Sequence, residues 1–269
     1  LGTEWALRRL GPDAREQWAV KLASIVRAVL VSGDGQWVIA ALSDGTIRWY
    51  RARDGSETLA YFPHANGEDW IAWTPAGYYM SSLHGDQYVG WHVNRGIDQT
   101  PDFHRAVQFE RLLYRPDIVS AALRAGALPA SRGLAAAERF DAARLAQIAP
   151  PRLAIRVLAL DKAGDGSRRA RIRITGERRA QALRDVTVYV NEIPITHANE
   201  RTLGWTESNR FARDIEVPLS AASNEIRVES LTDVAMGVAE RVVWLDGAPA
   251  PPAAQGDLYV LAIGNNAFP

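Results

Sequence analysis

Cysteine is absent from the 269 residues. That excludes disulfides, thiolate metal ligands and a cysteine nucleophile within this stretch of chain. A surplus of one charge is missing as well. The 31 Lys and Arg are matched by 31 Asp and Glu, so no global field draws the chain to nucleic acid or to an anionic membrane. No apolar run approaches the ~18 residues that suggest a membrane span. The five histidines, His64, His84, His92, His104 and His197, show no helical zinc spacing. No Gly-x-Ser-x-Gly elbow supports Ser81 or Ser82, beside His84 and Asp86, as a nucleophile group. Gly256 and Gly264 bracket an apolar run rather than opening a helix, so they form no dinucleotide loop. No catalytic residue, metal ligand or cofactor is therefore expected. The compartment is not determined by any motif, with a cytoplasmic setting favoured.

A composition of 47% hydrophobic and 23% charged residues suits a packed protein of about two domains. Leu1 to Trp5 carries neither an initiator Met nor a signal-peptide pattern, and with Leu258 to Pro269 suggests the middle of a longer protein. Residues 1–98 are dominated by short strand patterns between turn signals. Glu4 to Arg9 and Gln17 to Leu22 flank Gly11-Pro12-Asp13 as a hairpin-like pair. Val26 to Val31, Gln36 to Leu42, Thr46 to Arg51 and Glu57 to Phe62 are separated by three Asp-Gly turns. Asp-Gly supplies the positive φ of tight hairpins. Four antiparallel strands in ~40 residues make one β-propeller blade. Trp70 to Ser81 and Tyr88 to His92 form a second, degenerate unit.

Residues 99–150 form a helical connector. Asp117 to Ala127 and Leu134 to Ile148 are amphipathic, and Pro116, Pro129, Pro150 and Pro151 punctuate them. In residues 151–247 alternation returns at Arg152 to Leu160, Ala170 to Thr175, Asp185 to Asn191, Phe211 to Leu219, Asn224 to Ser230 and Glu240 to Leu245. Such a run without a clear helix suggests an Ig-like β-sandwich with no cysteine pair. Arg168, Arg169, Arg171, Arg173, Arg178 and Arg179 are set down as a solvated face, with an anionic partner as the sharper alternative. Residues 248–269 hold a Pro/Ala-rich linker and the apolar run Leu258 to Ile263, which suits a strand buried on both faces.

The stretch Ser32-Gly33-Asp34-Gly35 to Ala40, followed by Ser43-Asp44-Gly45 to Tyr50, resembles the core of WD-repeat blades. It departs from them in Tyr50, where an aspartate is usual, and in the missing Gly-His pair. Leu258 to Phe268 resembles the first strand and loop of caspase-like, metacaspase-type peptidase domains. Trp73 to Tyr79 and Gly90 to Gly96 are similar to the region upstream of the peptidase in bacterial caspase-family proteins. The resemblance implies a mainly β chain: partial WD-type propeller blades, a helical connector, an Ig-like sandwich, and the first strand of an α/β caspase-like domain. The family's catalytic His motif and Cys have no counterpart here. The chain is then the regulatory, protein-interaction region of a cysteine endopeptidase, in which thiolate and imidazole act as nucleophile and base. Its expected partners are proteins, including further blades or the peptidase domain, with no nucleic acid and no membrane. Trp49, Trp73, Tyr78, Tyr79, Trp91 and His92 are the candidate partner-binding residues; the bland alternative for the tryptophans is blade core. A free-standing module that adds its last strand to a partner and a serine hydrolase at Ser82 are the alternatives.

Overall fold

A computed structural model describes residues 1–93, 98, 100–125, 148–162, 164, 166–179, 185–196 and 210–245. The protein is mainly β. Its contacts divide into two compact units. One takes in Leu1–Val107 and the described residues of Leu113–Ala142; the other takes in Gln108–Leu112 and the described residues of Ala143–Asp257.

The first unit opens with a hairpin, β1 (Ala6–Leu10) and β2 (Glu16–Lys21). Six strands follow: β3 (Val26–Val31), β4 (Trp37–Leu42), β5 (Ile47–Arg51), β6 (Glu57–Pro63), β7 (Trp70–Trp73) and β8 (Tyr79–Ser81). They form one antiparallel meander in the order β3-β4-β5-β6-β7-β8. Each turn carries a glycine at positive φ: Gly35 at 69°, Gly45 at 82°, Gly55 at 71°, Gly67 at 77° and Gly77 at 88°. In four turns that glycine N–H donates to the carbonyl three residues back, at Ser32, Leu42, His64 and Thr74. This is a type I turn closed by a left-handed residue, a geometry that only glycine adopts without strain. The aspartate before the glycine completes it. Asp34, Asp44 and Asp54 each accept the N–H two residues on, at 3.0, 2.9 and 2.9 Å.

The strand groups expected as separate units are continuous here. β6 pairs with β7 from Ala60↔Trp73 to Pro63↔Trp70. The cause is local: Asn66-Gly67 makes the same turn as the Asp-Gly pairs, so the meander passes through it uninterrupted. Leu7, Val38, Ala40, Leu42 and Tyr50 are buried in one core, with Trp18 and Val20 packed on it. The alternation of β4, in which Val38, Ala40 and Leu42 all point inward, dictates this.

β9 (Gly90–Val93) pairs with β10 (Asp102–Arg105). The second strand falls where a polar connector was expected; its sequence, Asp-Phe-His-Arg, is too short and too charged to show alternation. Next come two helices, α1 (Glu110–Leu113) and α2 (Pro116–Ala125). Proline is well placed at the start of α2, where its missing N–H costs no bond. Ile118, Val119 and Ala122 are buried on one of its faces. No described helix is long and apolar enough to cross a membrane. Within the second expected helix, Leu134 to Ile148, all but the last residue lies outside the described residues, as does the whole segment from residue 246 to 269.

The second unit has two antiparallel sheets. β11 (Arg152–Lys162), β12 (Arg168–Glu177) and β15 (Arg210–Leu219) make one, in the order β11-β12-β15. β13 (Asp185–Val190), β14 (Ile193–Pro194), β16 (Ser223–Leu231) and β17 (Met236–Trp244) make the other, in the order β14-β13-β16-β17. Ala170, Ile172 and Ile174 of one sheet share a core with Val186, Val188, Ile226 and Val228 of the other. Arg169, Arg171 and Arg173 alternate with these core residues and stay exposed. Asn191 and Glu192, both at positive φ, form the two-residue turn between β13 and β14. Asn224 is fully buried, and its Oδ1 accepts the N–H of Ser220 and of Ala221, both at 3.0 Å. A buried amide so satisfied fixes the β15–β16 corner.

Two outcomes follow for stability. Ile172→Ala removes a fully buried side chain and is expected to cost about 2–5 kcal/mol in urea unfolding of this unit. Arg171→Ala, two atoms of backbone away on the solvent face, is expected to stay within about 0.5 kcal/mol. The Asp54 carboxyl is held at about 2, by the Ser56 hydroxyl first and the Ser56 N–H second. A carboxyl lowered from its unfolded value of about 3.9 contributes stability above that pH and loses it as pH falls toward 2. The thermal midpoint should therefore fall in this window, and less steeply in Asp54→Asn.

Candidate partner-binding cleft

A cleft of about 230 Å³ opens in the first unit, lined by β5 to β9 and the segments between them. It is lined by Trp73 on β7, Tyr79 on β8 and Trp91 on β9, together with Ile71, Pro75 and Val89. Arg48 from β5 and Glu57 from β6 supply its charge.

The geometry follows from the strands. Residues two apart on a strand share a face, so Ile71 and Trp73 both reach the cleft. Tyr79 is almost fully buried, and its hydroxyl lies 3.3 Å from Asp86 Oδ2 and 3.2 Å from the Ala106 carbonyl. Its ring also meets Tyr114 edge-on at 5.5 Å. These contacts lock Tyr79 as a fixed wall. Gly90 lets β9 close on β10, since a Cβ there would stand 2.2 Å from the His104 carbonyl oxygen.

The charged pair is held from below. Arg48 Nη1 donates to both Glu57 oxygens, at 3.3 and 3.2 Å. Its Nε donates to Thr46 Oγ1 at 3.1 Å, and its Nη2 is 3.8 Å from Asp44. Thr46, itself buried, donates its hydroxyl and N–H to Asp44. Nearby Tyr50 is fully buried; burial pushes its phenol above the ordinary range, and the Glu57 carboxylate pushes in the same direction.

Of the six residues singled out in the sequence, three meet in the cleft: Trp73, Tyr79 and Trp91. The other three are chain neighbours of cleft residues and fall on alternate positions. Tyr78 precedes Tyr79 and is buried away from the lining. His92 follows Trp91 and is exposed. Trp49 follows Arg48 and is half-buried opposite Ile39 and Leu59. Arg48 and Glu57 were not anticipated. A register shift between Trp49 and Tyr50 sets Glu57 beside this part of β5, and no local pattern announces such a bulge.

Ser82 is not joined to His84 or Asp86. Its hydroxyl donates to Asp69 at 3.0 Å and accepts the Trp70 N–H at 3.0 Å, which fastens β7 at its start. Asp69 also takes the Asn66 amide and the Tyr88 hydroxyl, and these bonds, Asn66 first, hold its carboxyl below the usual range. His64 stacks on Tyr88 with ring centroids 4.1 Å apart. His104 is buried on β10, and His197 lies outside the described residues.

No protein-family model matches this chain, and no curated protein matches it.

Gly90→Ala should force β9 and β10 apart. The clashing atom is backbone and cannot swing aside, so a loss of about 1–3 kcal/mol is expected in thermal or urea unfolding.

Proposed function

We propose that the chain is a non-catalytic, protein-interaction region, and that the cleft of Trp73, Tyr79 and Trp91 is where a partner side chain docks. The observation that carries this reading is the cleft itself: three aromatic residues from three successive strands, Tyr79 among them fixed by its hydrogen bonds, beside the Arg48–Glu57 ion pair. Aromatic residues in partly desolvated pockets are the groups that dominate protein–protein affinity. The cysteine-free sequence leaves no thiol for catalysis in these residues.

The finer architecture belongs to the same proposal. The four antiparallel strands β3 to β6 support a WD-type blade, and the sheet runs on from them into β7 and β8. The sheets β11-β12-β15 and β14-β13-β16-β17 around one core support an Ig-like sandwich. Together with the resemblance in sequence, they favour the regulatory part of a caspase-like cysteine endopeptidase, with the blades binding a partner and the sandwich positioning the protease. A second reading, separate from the strand addition expected at Leu258 to Ile263, is that a partner's strand adds to β3. This strand lies at the edge of its sheet with Leu30 62% and Val31 58% exposed.

Panning a random peptide-display library against the full chain tests the main reading. A recurrent sequence should be enriched, and enrichment should vanish with Trp73→Ala once circular dichroism shows that variant folded. No enrichment, or equal enrichment on the folded variant, overturns the proposal.

A further inference from the structure

The charges at the base of the cleft are unequal in number. Every nitrogen of the Arg48 guanidinium already faces a partner: Nε the Thr46 hydroxyl, Nη1 the Glu57 carboxylate, Nη2 the Asp44 carboxylate. Nη1 reaches Glu57 only at the long distances of 3.2 and 3.3 Å, and Nη2 stands 3.8 Å from Asp44. The formal charge is uneven, with two carboxylates, Asp44 and Glu57, around one guanidinium. The pair is also shielded. Arg48 is 18% and Glu57 24% exposed, so a charge entering here is screened less than on an open surface. Trp73 and Trp91 line the cleft, and indole is the side chain that attracts cations best.

We infer that the cleft recognises a basic side chain of a partner protein, Arg or Lys, whose stem packs between Trp73 and Trp91 and whose cationic head donates to Glu57. The inference rests on the interaction reading above and names the partner's chemistry. The volume of about 230 Å³ fits one long side chain and is smaller than the ~300 Å³ at which drug-sized ligand pockets begin. The long aliphatic stem of Arg or Lys suits the apolar contribution of Ile71, Pro75 and Val89. An acidic side chain would meet the like charge of Glu57, with that of Asp44 behind it.

Three labelled peptides, identical except for Arg, norleucine or Glu at one central position, decide the matter by fluorescence polarisation against the full chain. The Arg peptide should bind about five-fold or more tightly than the norleucine peptide, the Glu peptide most weakly, and the Arg preference should shrink as salt is raised. Glu57→Gln should abolish the Arg preference while norleucine binding persists. Should that variant fail to fold, the comparison on the unaltered chain still decides. Equal binding of Arg and norleucine overturns the basic-side-chain inference and leaves the cleft as an apolar docking site. Binding by none of the three, with no enrichment in panning, overturns the interaction reading as well.

Discussion

A hydrogen-bonded turn with a left-handed glycine is the constraint on which the first unit depends. At Gly35, Gly45, Gly67 and Gly77 the glycine N–H closes onto the carbonyl three residues earlier. An aspartate or asparagine before the first, second and third of these glycines adds a side-chain acceptor for the chain just beyond. Such a turn leaves one register open to the strands it joins, and register decides which side chains share a face. Arg48, Ile71, Trp73 and Tyr79 come to a common cleft because successive turns preserve that parity from β5 to β8. The bulge between Trp49 and Tyr50 is the one place where parity is shifted between β5 and β6, and there Glu57 is delivered to Arg48.

The second unit depends on a different constraint, the sharing of one apolar core by two sheets. β12 shows it most plainly: Ala170, Ile172 and Ile174 are fully buried while the arginines between them are solvated. Arg173 forks onto Asp214 across the strand pair at 2.6 and 2.7 Å. Exposed pairs of this kind contribute little to stability, so the core carries the energetics and the arginines keep the outer face soluble. Two buried polar side chains are satisfied locally: Asn224 at the corner, and Thr232, whose hydroxyl exchanges hydrogen bonds with Ala235.

Much of the strand content was legible in the sequence because turn and strand signals agree there. Asp-Gly pairs flanked by Trp37 to Leu42 and Ile47 to Arg51 leave few alternatives. β10 was not legible, since four residues with two charged side chains carry no periodic signal; its pairing with β9 is set by the tertiary approach that Gly90 permits. The site was half legible for a stated reason. Aromatic residues mark a cleft by their type, and alternation then sorts Tyr79 from Tyr78 and Trp91 from His92. The ion pair at its base could not be read, because Arg48 and Glu57 are brought together by a register shift rather than by spacing. The single helix that was anticipated and lies in described residues, α2, announced itself by Pro116 and by the apolar spacing of Ile118, Val119 and Ala122.

The meander's turns recur every ten or twelve residues, at Gly35, Gly45, Gly55, Gly67 and Gly77. This spacing bears on how such a sequence tolerates insertion and deletion over generations. Removing two consecutive strands with their turns restores both chain direction and facing, so the flanking hairpins could rejoin without inverting a side chain. Removing a single residue within a strand reverses the facing of everything up to the next turn. Length variation in this region is therefore quantised: it is tolerated in hairpin-sized steps of about twenty residues, and otherwise confined to the turns themselves.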